Sequence, residues 1–183
     1  TSPEFIKFQS EDLNDLLDVI GDIDFTLAAN GSVKMPKELT SRKIVIGDTT
    51  YKIGIGGLHS QEKKLAKISN ETHVMRNADF SSYYPFIILI LKLYPKHLTD
   101  KFLKVYKNIV ETRLKAKAEG NKLIAESLKI TINGSFGKLG SKFSKLYAPD
   151  LMLAVTITGQ LTLLMLIEQM EANGIRVVSA NTD

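Results

Sequence analysis

Apolar positions near the start of the chain recur at helical spacing: Leu13, Leu16, Leu17 and Ile20 predict a short amphipathic helix over Asp12 to Ile20. The pattern then changes. Lys43 to Ile46 and Tyr51 to Ile55 are apolar or alternating around Gly47-Asp48, which predicts a β-hairpin. Gly54, Gly56 and Gly57 follow and mark a flexible or closely approached backbone. His73 to Phe80 reads as a strand, and a helix is expected from about Ser82, with Pro85 tolerated in its first turn. Pro95 breaks that helix. Thr99 is expected to cap the next, from about Asp100 to Ala118, with Phe102, Leu103, Tyr106, Ile109, Val110 and Leu114 on its inner side. Gly120-Asn121 makes a tight turn into a helix from about Lys122 to Phe136 that stops at Gly137, so the two form an antiparallel hairpin. Pro149 opens a long helix to Met170, Asn173-Gly174 closes it, and Ile175 to Val178 reads as a last strand leading to Asp183.

This order predicts an α+β fold: an open layer of sheet and packed helices with a helical lobe inserted into it. If the strands at 73–80 and 175–178 pair, Asp79 and Asp183 come to lie side by side. A hydrophobic content of 44% supplies a core, and the absence of cysteine excludes disulfides and thiolate zinc sites within this chain. The net charge is only +4, but Lys92 to Lys122 holds nine Lys or Arg against three acids. Such a run is a solvated helix face by default and a phosphate-facing surface if a site lies beside it. Leu151 to Ile167 carries no charge over seventeen residues, yet Thr156, Thr158, Gly159, Gln160 and Thr162 dilute it and Glu168 closes it. A buried helix lying across the sheet is the expectation there, ahead of a membrane span. Glu4, Lys7, Glu11 and Asp12 interrupt any secretory pattern near the start. The chain opens on Thr1 and stops on Asp183, which reads as a piece cut from a larger protein.

The chemistry concentrates at three places. Asp79 stands where an apolar strand exits into a tight turn, and Asp183 ends another strand. Either alone is most simply a turn or cap residue; paired on adjacent strand ends, two carboxylates can hold two divalent metals for phosphoryl transfer. The amides of Ser81, Ser82 and Tyr83 lie near a helix start, a ready anion site. Arg113 and Lys117 stand four apart on one helix, as do Lys129 and Asn133 on the next, with Phe136 and Gly137 beyond. Two such pairs on facing helices can converge on a triphosphate, although an isolated basic pair is usually surface. His59 and His73 read as structural or exposed rather than catalytic.

Asp79-Phe80-Ser81-Ser82-Tyr83-Tyr84-Pro85, Lys129 to Gly137 and Asn181-Thr182-Asp183, in this order, resemble motifs A, B and C of the family B DNA polymerases. Tyr51 to His59 resembles the Y-x-G-G/A region of that family, which contacts the template strand. The resemblance implies a palm (a sheet with packed helices) and an inserted helical-hairpin fingers lobe. Residues 1–50 would lead into the palm, 51–95 carry motif A, 96–139 form the fingers with motif B, and 140–183 return as palm helix and strand ending in motif C. It implies a template-dependent DNA polymerase, phage- or prophage-like and replicative, that adds deoxynucleotides to a primer 3′ end. Its partners would be primer–template DNA and dNTPs, with no membrane, in the cytoplasm of a bacterial or phage-infected cell. Two Mg²⁺ ions would be held by the catalytic carboxylates Asp79 and Asp183 with the Phe80 carbonyl. Ser81, Ser82, Tyr83, Tyr84, Arg113, Lys117, Lys129 and Asn133 would bind the nucleotide, with Tyr84 under the sugar, blocking a 2′-hydroxyl. Gly56, Gly57, Phe136 and Gly137 would meet DNA.

Four positions depart from the family pattern. Tyr83 replaces a leucine, Gly134 a serine, Phe136 a tyrosine, and Asn181 the first aspartate of D-T-D. Asn181 keeps an oxygen but loses a charge, which leaves a second reading open: a non-catalytic nucleic-acid-binding module whose basic helices contact phosphates. In either case the isolated piece is expected to be inactive.

Overall fold

The structure, a computed structural model, describes residues 3–62 and 66–182. Helix α1 (Glu11–Asp22) is followed by a two-stranded antiparallel ribbon, β1 (Thr26–Leu27) with β2 (Val33–Lys34), and a single helical turn, α2 (Lys37–Thr40). Next comes an antiparallel sheet, β3 (Ile44–Ile46), β4 (Thr49–Ile53) and β5 (Leu58–Ser60), in that spatial order. The expected hairpin is its first half: Ile46 pairs with Thr49, and Gly47 takes the positive φ of 58° that the tight turn requires. The rest is helical: α3 (Tyr83–Ile90), a 3₁₀ turn at Lys96–Leu98, α4 (Lys101–Ala118), α5 (Lys122–Leu139) and α6 (Pro149–Ala172).

Helix α6 joins two apolar clusters. Its C-terminal half, with Leu161, Leu164 and Ile167, packs with Leu16 of α1, Leu39 and the sheet residues Ile44, Tyr51, Ile53 and Leu58. The N-terminal half, with Leu151 and Val155, packs with Ile88 of α3, Tyr106 and Val110 of α4, and Ile132 and Leu139 of α5. Among the described residues, α6 alone is long and apolar enough to cross a membrane, and 61% of its most apolar stretch is buried inside the molecule. This is the expected core helix. Pro149 sits in its first turn, and Asn173-Gly174 ends it, with Gly174 at φ 77°.

Helices α4 and α5 form the expected antiparallel hairpin. Asn121 caps α5 by accepting from the Ile124 amide at 3.2 Å, and Gly120 supplies φ 75° in the turn. The cap of α4 differs from expectation. The 3₁₀ turn runs almost into the helix, so Thr99 is left at φ 57° and Asp100 becomes the N-cap, without a side-chain capping bond.

Two expected strands are corrected. Residues 73–80 form no ladder, and Val74, Met75 and Phe80 are exposed at 73%, 46% and 54%. A strand needs a neighbour for its backbone groups, and none among the described residues pairs with this segment. Residues 175–180 likewise form no strand, because side chains take the groups a ladder would use. The Val177 amide donates to Glu171, and the Val177 carbonyl accepts from the Thr49 hydroxyl. Only at its end does this segment join the sheet, through an antiparallel bridge between Asn181 and His59 of β5. The pairing of 73–80 with 175–178 is therefore absent from the fold.

Glu168 ties the N-terminal segment to α6. Its carboxylate accepts the Gln9 and Ser10 amides, each at 2.8 Å. Burial alone would raise its pKa, but these amide bonds and the Ser10 hydroxyl hold it below the ordinary carboxylate value. A depressed folded pKa adds stability that is present above the ordinary value and lost as pH falls through the folded one. Glu168→Gln is expected to cost about 1–3 kcal/mol at neutral pH. Urea unfolding should show the difference from wild type shrinking as the pH drops below the carboxylate range.

Candidate functional site

The turn entering α3 is the centre of the site. Ser82 is its N-cap and adopts left-handed backbone angles, φ 57° and ψ 48°, which are strained for a residue with a Cβ. Arg113 of α4 donates from Nη1 to the Ser82 hydroxyl, while its buried Nε has no hydrogen-bond partner among the described residues. The turn at 79–82 and the α4–α5 hairpin thus meet through a cation on a strained backbone.

Four aromatic rings continue the junction. Phe80 stacks on Tyr83 at 5.0 Å between centroids, Tyr83 on Tyr84 at 5.7 Å, and Tyr84 on Phe136 of α5 at 5.0 Å. The Tyr83 hydroxyl donates to the Gly159 carbonyl at 2.7 Å, and burial pushes its pKa up to about 12, so the phenol stays neutral. The Tyr84 hydroxyl donates to the Gly56 carbonyl, also at 2.7 Å. Gly159 is what admits both rings, since a Cβ there would lie 2.7 Å from Tyr84 Cε1 and 3.3 Å from Tyr83 Cε1.

The turn from Gly54 to Gly57 joins β4 to β5 and is held from three sides. Gln160 of α6, fully buried, accepts the Gly54 amide and donates to the Gly54 carbonyl, both at 3.0 Å. Tyr84 reaches Gly56 from α3. Thr182 covers Gly57: a Cβ on that glycine would come within 2.6 Å of the Thr182 carbonyl and closer still to its hydroxyl. The buried Thr182 also exchanges two bonds with Leu58, accepting its amide at the hydroxyl (2.7 Å) and donating its own amide to the Leu58 carbonyl (3.0 Å). Asn181 accepts the Ser60 amide at its side-chain oxygen, 3.2 Å away.

The residues expected at the site are distributed as follows. Ser82, Tyr83, Tyr84, Arg113 and Phe136 come together. Asp79, Phe80 and Ser81 lie at the same turn, exposed. Lys117, Lys129 and Asn133 are exposed on the α4–α5 hairpin, and none makes a hydrogen bond or ion pair with the turn; Lys129 pairs with Glu126 at 3.9 Å. Gly56 and Gly137 are exposed, whereas Gly57 is buried under Thr182. Asp183 lies outside the described residues. Asp79 and the Phe80 carbonyl are hard oxygen donors of the kind magnesium takes. Among the described residues, however, no group of three His, Cys, Asp or Glu side chains comes together, so a metal pair would need Asp183 as well. Gln160 and Gly159 were missed as site residues, although a glycine and an amide inside a long apolar run are the signal that something packs closely there.

DNA polymerase II of Escherichia coli (strain K12) is 28% identical to this chain over a stretch covering 57% of the chain and 16% of that polymerase. The chain is distantly similar to part of a DNA polymerase. No family model matches it. No solved structure matches it.

Proposed function

We propose that this chain is the palm-and-fingers portion of a family B, template-directed DNA polymerase that extends a primer 3′ end with deoxynucleotides. The observation that carries the reading is the meeting of Ser82, Tyr84, Arg113 and Phe136. Residues from three separate stretches of the chain come together here, Arg113 on Ser82 and Phe136 on Tyr84. The distant similarity to a polymerase supports the same reading.

In this reading the incoming triphosphate lies over the α3 N-terminus, where the helix end and the Arg113 guanidinium favour an anion. Lys117, Lys129 and Asn133 face the nucleotide from the fingers, and Ser81, Ser82 and Tyr83 supply backbone groups. The Tyr84 ring, fixed between Phe136 and Gly159, closes the floor under the sugar and leaves no room for a 2′-hydroxyl. Asp79 and Asp183, with the Phe80 carbonyl, are the residues that would hold magnesium. Such ions, when bound, supply charge stabilisation on the attacking and leaving oxygens.

Arg113→Ala tests the placement of the triphosphate. A charge-assisted hydrogen bond is worth about 1.5–3 kcal/mol. The full-length protein carrying this change should therefore show a KM for dNTPs raised about 10- to 150-fold, with the Kd for primer–template within about twofold. An unchanged KM for dNTPs would remove Arg113 from the nucleotide site. The binding-module reading draws on Asn181, whose side-chain oxygen is already used by Ser60 where the family pattern has an acid.

A further inference from the structure

We infer that the Gly54–Gly57 turn, with Leu58, is a clasp that fixes the Tyr84 ring relative to the Asn181-Thr182 segment, and that Gly57 and Thr182 are positioning residues for the reaction. The inference rests on the polymerase reading for its function but on geometry for its existence.

Glycines beside the hairpin fit a close approach by template DNA equally well from sequence, yet Gly54 and Gly57 have close protein neighbours, and only Gly56 faces open space. Gly56 spends its carbonyl on the Tyr84 hydroxyl at 2.7 Å. Gly57 is buried, and Thr182 occupies the space that any side chain at 57 would need. One contact there is with the Thr182 backbone carbonyl, so a rotamer change cannot relieve it. The turn is internally closed by the Gly54 amide bonding the Gly57 carbonyl at 2.9 Å, and Gln160 locks Gly54 from behind. A rigid four-residue loop therefore carries Tyr84 at one carbonyl and Thr182 at the next two residues. Displacing either partner moves the other through two peptide units.

Thr182 makes the decisive contact, because its hydroxyl is the sole acceptor shown for the Leu58 amide among the described residues. Thr182→Val keeps the shape and removes that acceptor; Thr182→Ser keeps the acceptor and removes a methyl. The experiment compares both with Gly57→Ala in the full-length protein. It follows hydrogen exchange at the Leu58 amide, the Kd for primer–template, and kcat for extension at saturating DNA. For the valine and alanine variants the clasp predicts Leu58 exchange at least about tenfold faster and kcat down by about tenfold or more, with DNA affinity within about twofold. Thr182→Ser should recover most of both protection and kcat.

If Gly57→Ala instead weakens DNA binding while kcat at saturating DNA persists, the turn is a template contact and the clasp is overturned. Unaltered Leu58 protection in Thr182→Val, or equal loss in the serine and valine variants, overturns it too. If wild type extends no primer while Leu58 protection still follows the Thr182 hydroxyl, the clasp stands as structure. The polymerase reading and the positioning role then fail together.

Discussion

Replacing Asp79 with alanine is expected to abolish primer extension by the full-length protein while leaving its fold intact. The two halves of that expectation have separate grounds. Asp79 is exposed at the turn into α3 and makes no hydrogen bond or ion pair among the described residues. Surface changes of that kind usually alter stability by no more than about 0.5 kcal/mol. A metal-holding carboxylate, in contrast, supports several kcal/mol of transition-state stabilisation. About 4 kcal/mol corresponds to a thousandfold loss of rate or more. Single-turnover extension and urea unfolding, measured on the same preparation, separate the two. A variant that unfolds at the wild-type midpoint but extends at less than about a thousandth of the rate fits the assignment. Extension within about tenfold of wild type would show that Asp79 holds no essential metal.

A clear loss of stability is also expected from Gln160→Leu. The leucine is of similar size and suits an apolar helix, so composition alone would favour it. In the fold, Gln160 is fully buried and is bonded to both the amide and the carbonyl of Gly54. Leucine leaves the Gly54 carbonyl without that partner, at about 1–3 kcal/mol, while the Gly54 amide keeps its bond to the Gly57 carbonyl. Gln169→Leu, on the exposed face of the same helix, is the control and should change stability by about 0.5 kcal/mol or less. Equal effects from the two substitutions would mean that the amide pair with Gly54 contributes nothing.

The helices were legible because their limits are written in local chemistry. Gly120-Asn121, Pro149 and Asn173-Gly174 each act within a turn of where they stand, so α4 ends, α5 begins and α6 begins and ends beside them, whereas α3 already ends at Ile90, ahead of Pro95, and α5 runs through Gly137 to Leu139. Gly47 marked the hairpin for the same reason. Residues 73–80 and 175–180 misled because strand formation depends on a neighbour. The side chains of Glu171 and Thr49 claimed the backbone of 177 in place of a ladder.

The site divides along the same line. The family resemblance pointed to Ser82, Tyr84 and Arg113 as nucleotide residues and to Phe136 as a DNA contact, and the fold brings these four together, Arg113 on Ser82 and Phe136 on Tyr84. The basic pairs were legible as residues on one helical face but not as a cluster, since Lys117 and Lys129 are exposed and make no bond to Ser82. The glycine turn was legible only as backbone freedom. Its partners, Gln160 and Thr182, lie 106 and 124 residues from the positions they hold. Nothing in the spacing of glycines says whether a close neighbour is DNA or protein.

The most direct test of the polymerase reading is single-nucleotide extension of a labelled primer by the full-length protein, with magnesium, on four templates that differ only in the first unpaired base. One-nucleotide extension in which each template base selects its complementary dNTP is the expected result. No extension on any template, alongside DNA binding that weakens steeply with salt, would contradict it and leave a nucleic-acid-binding module in its place.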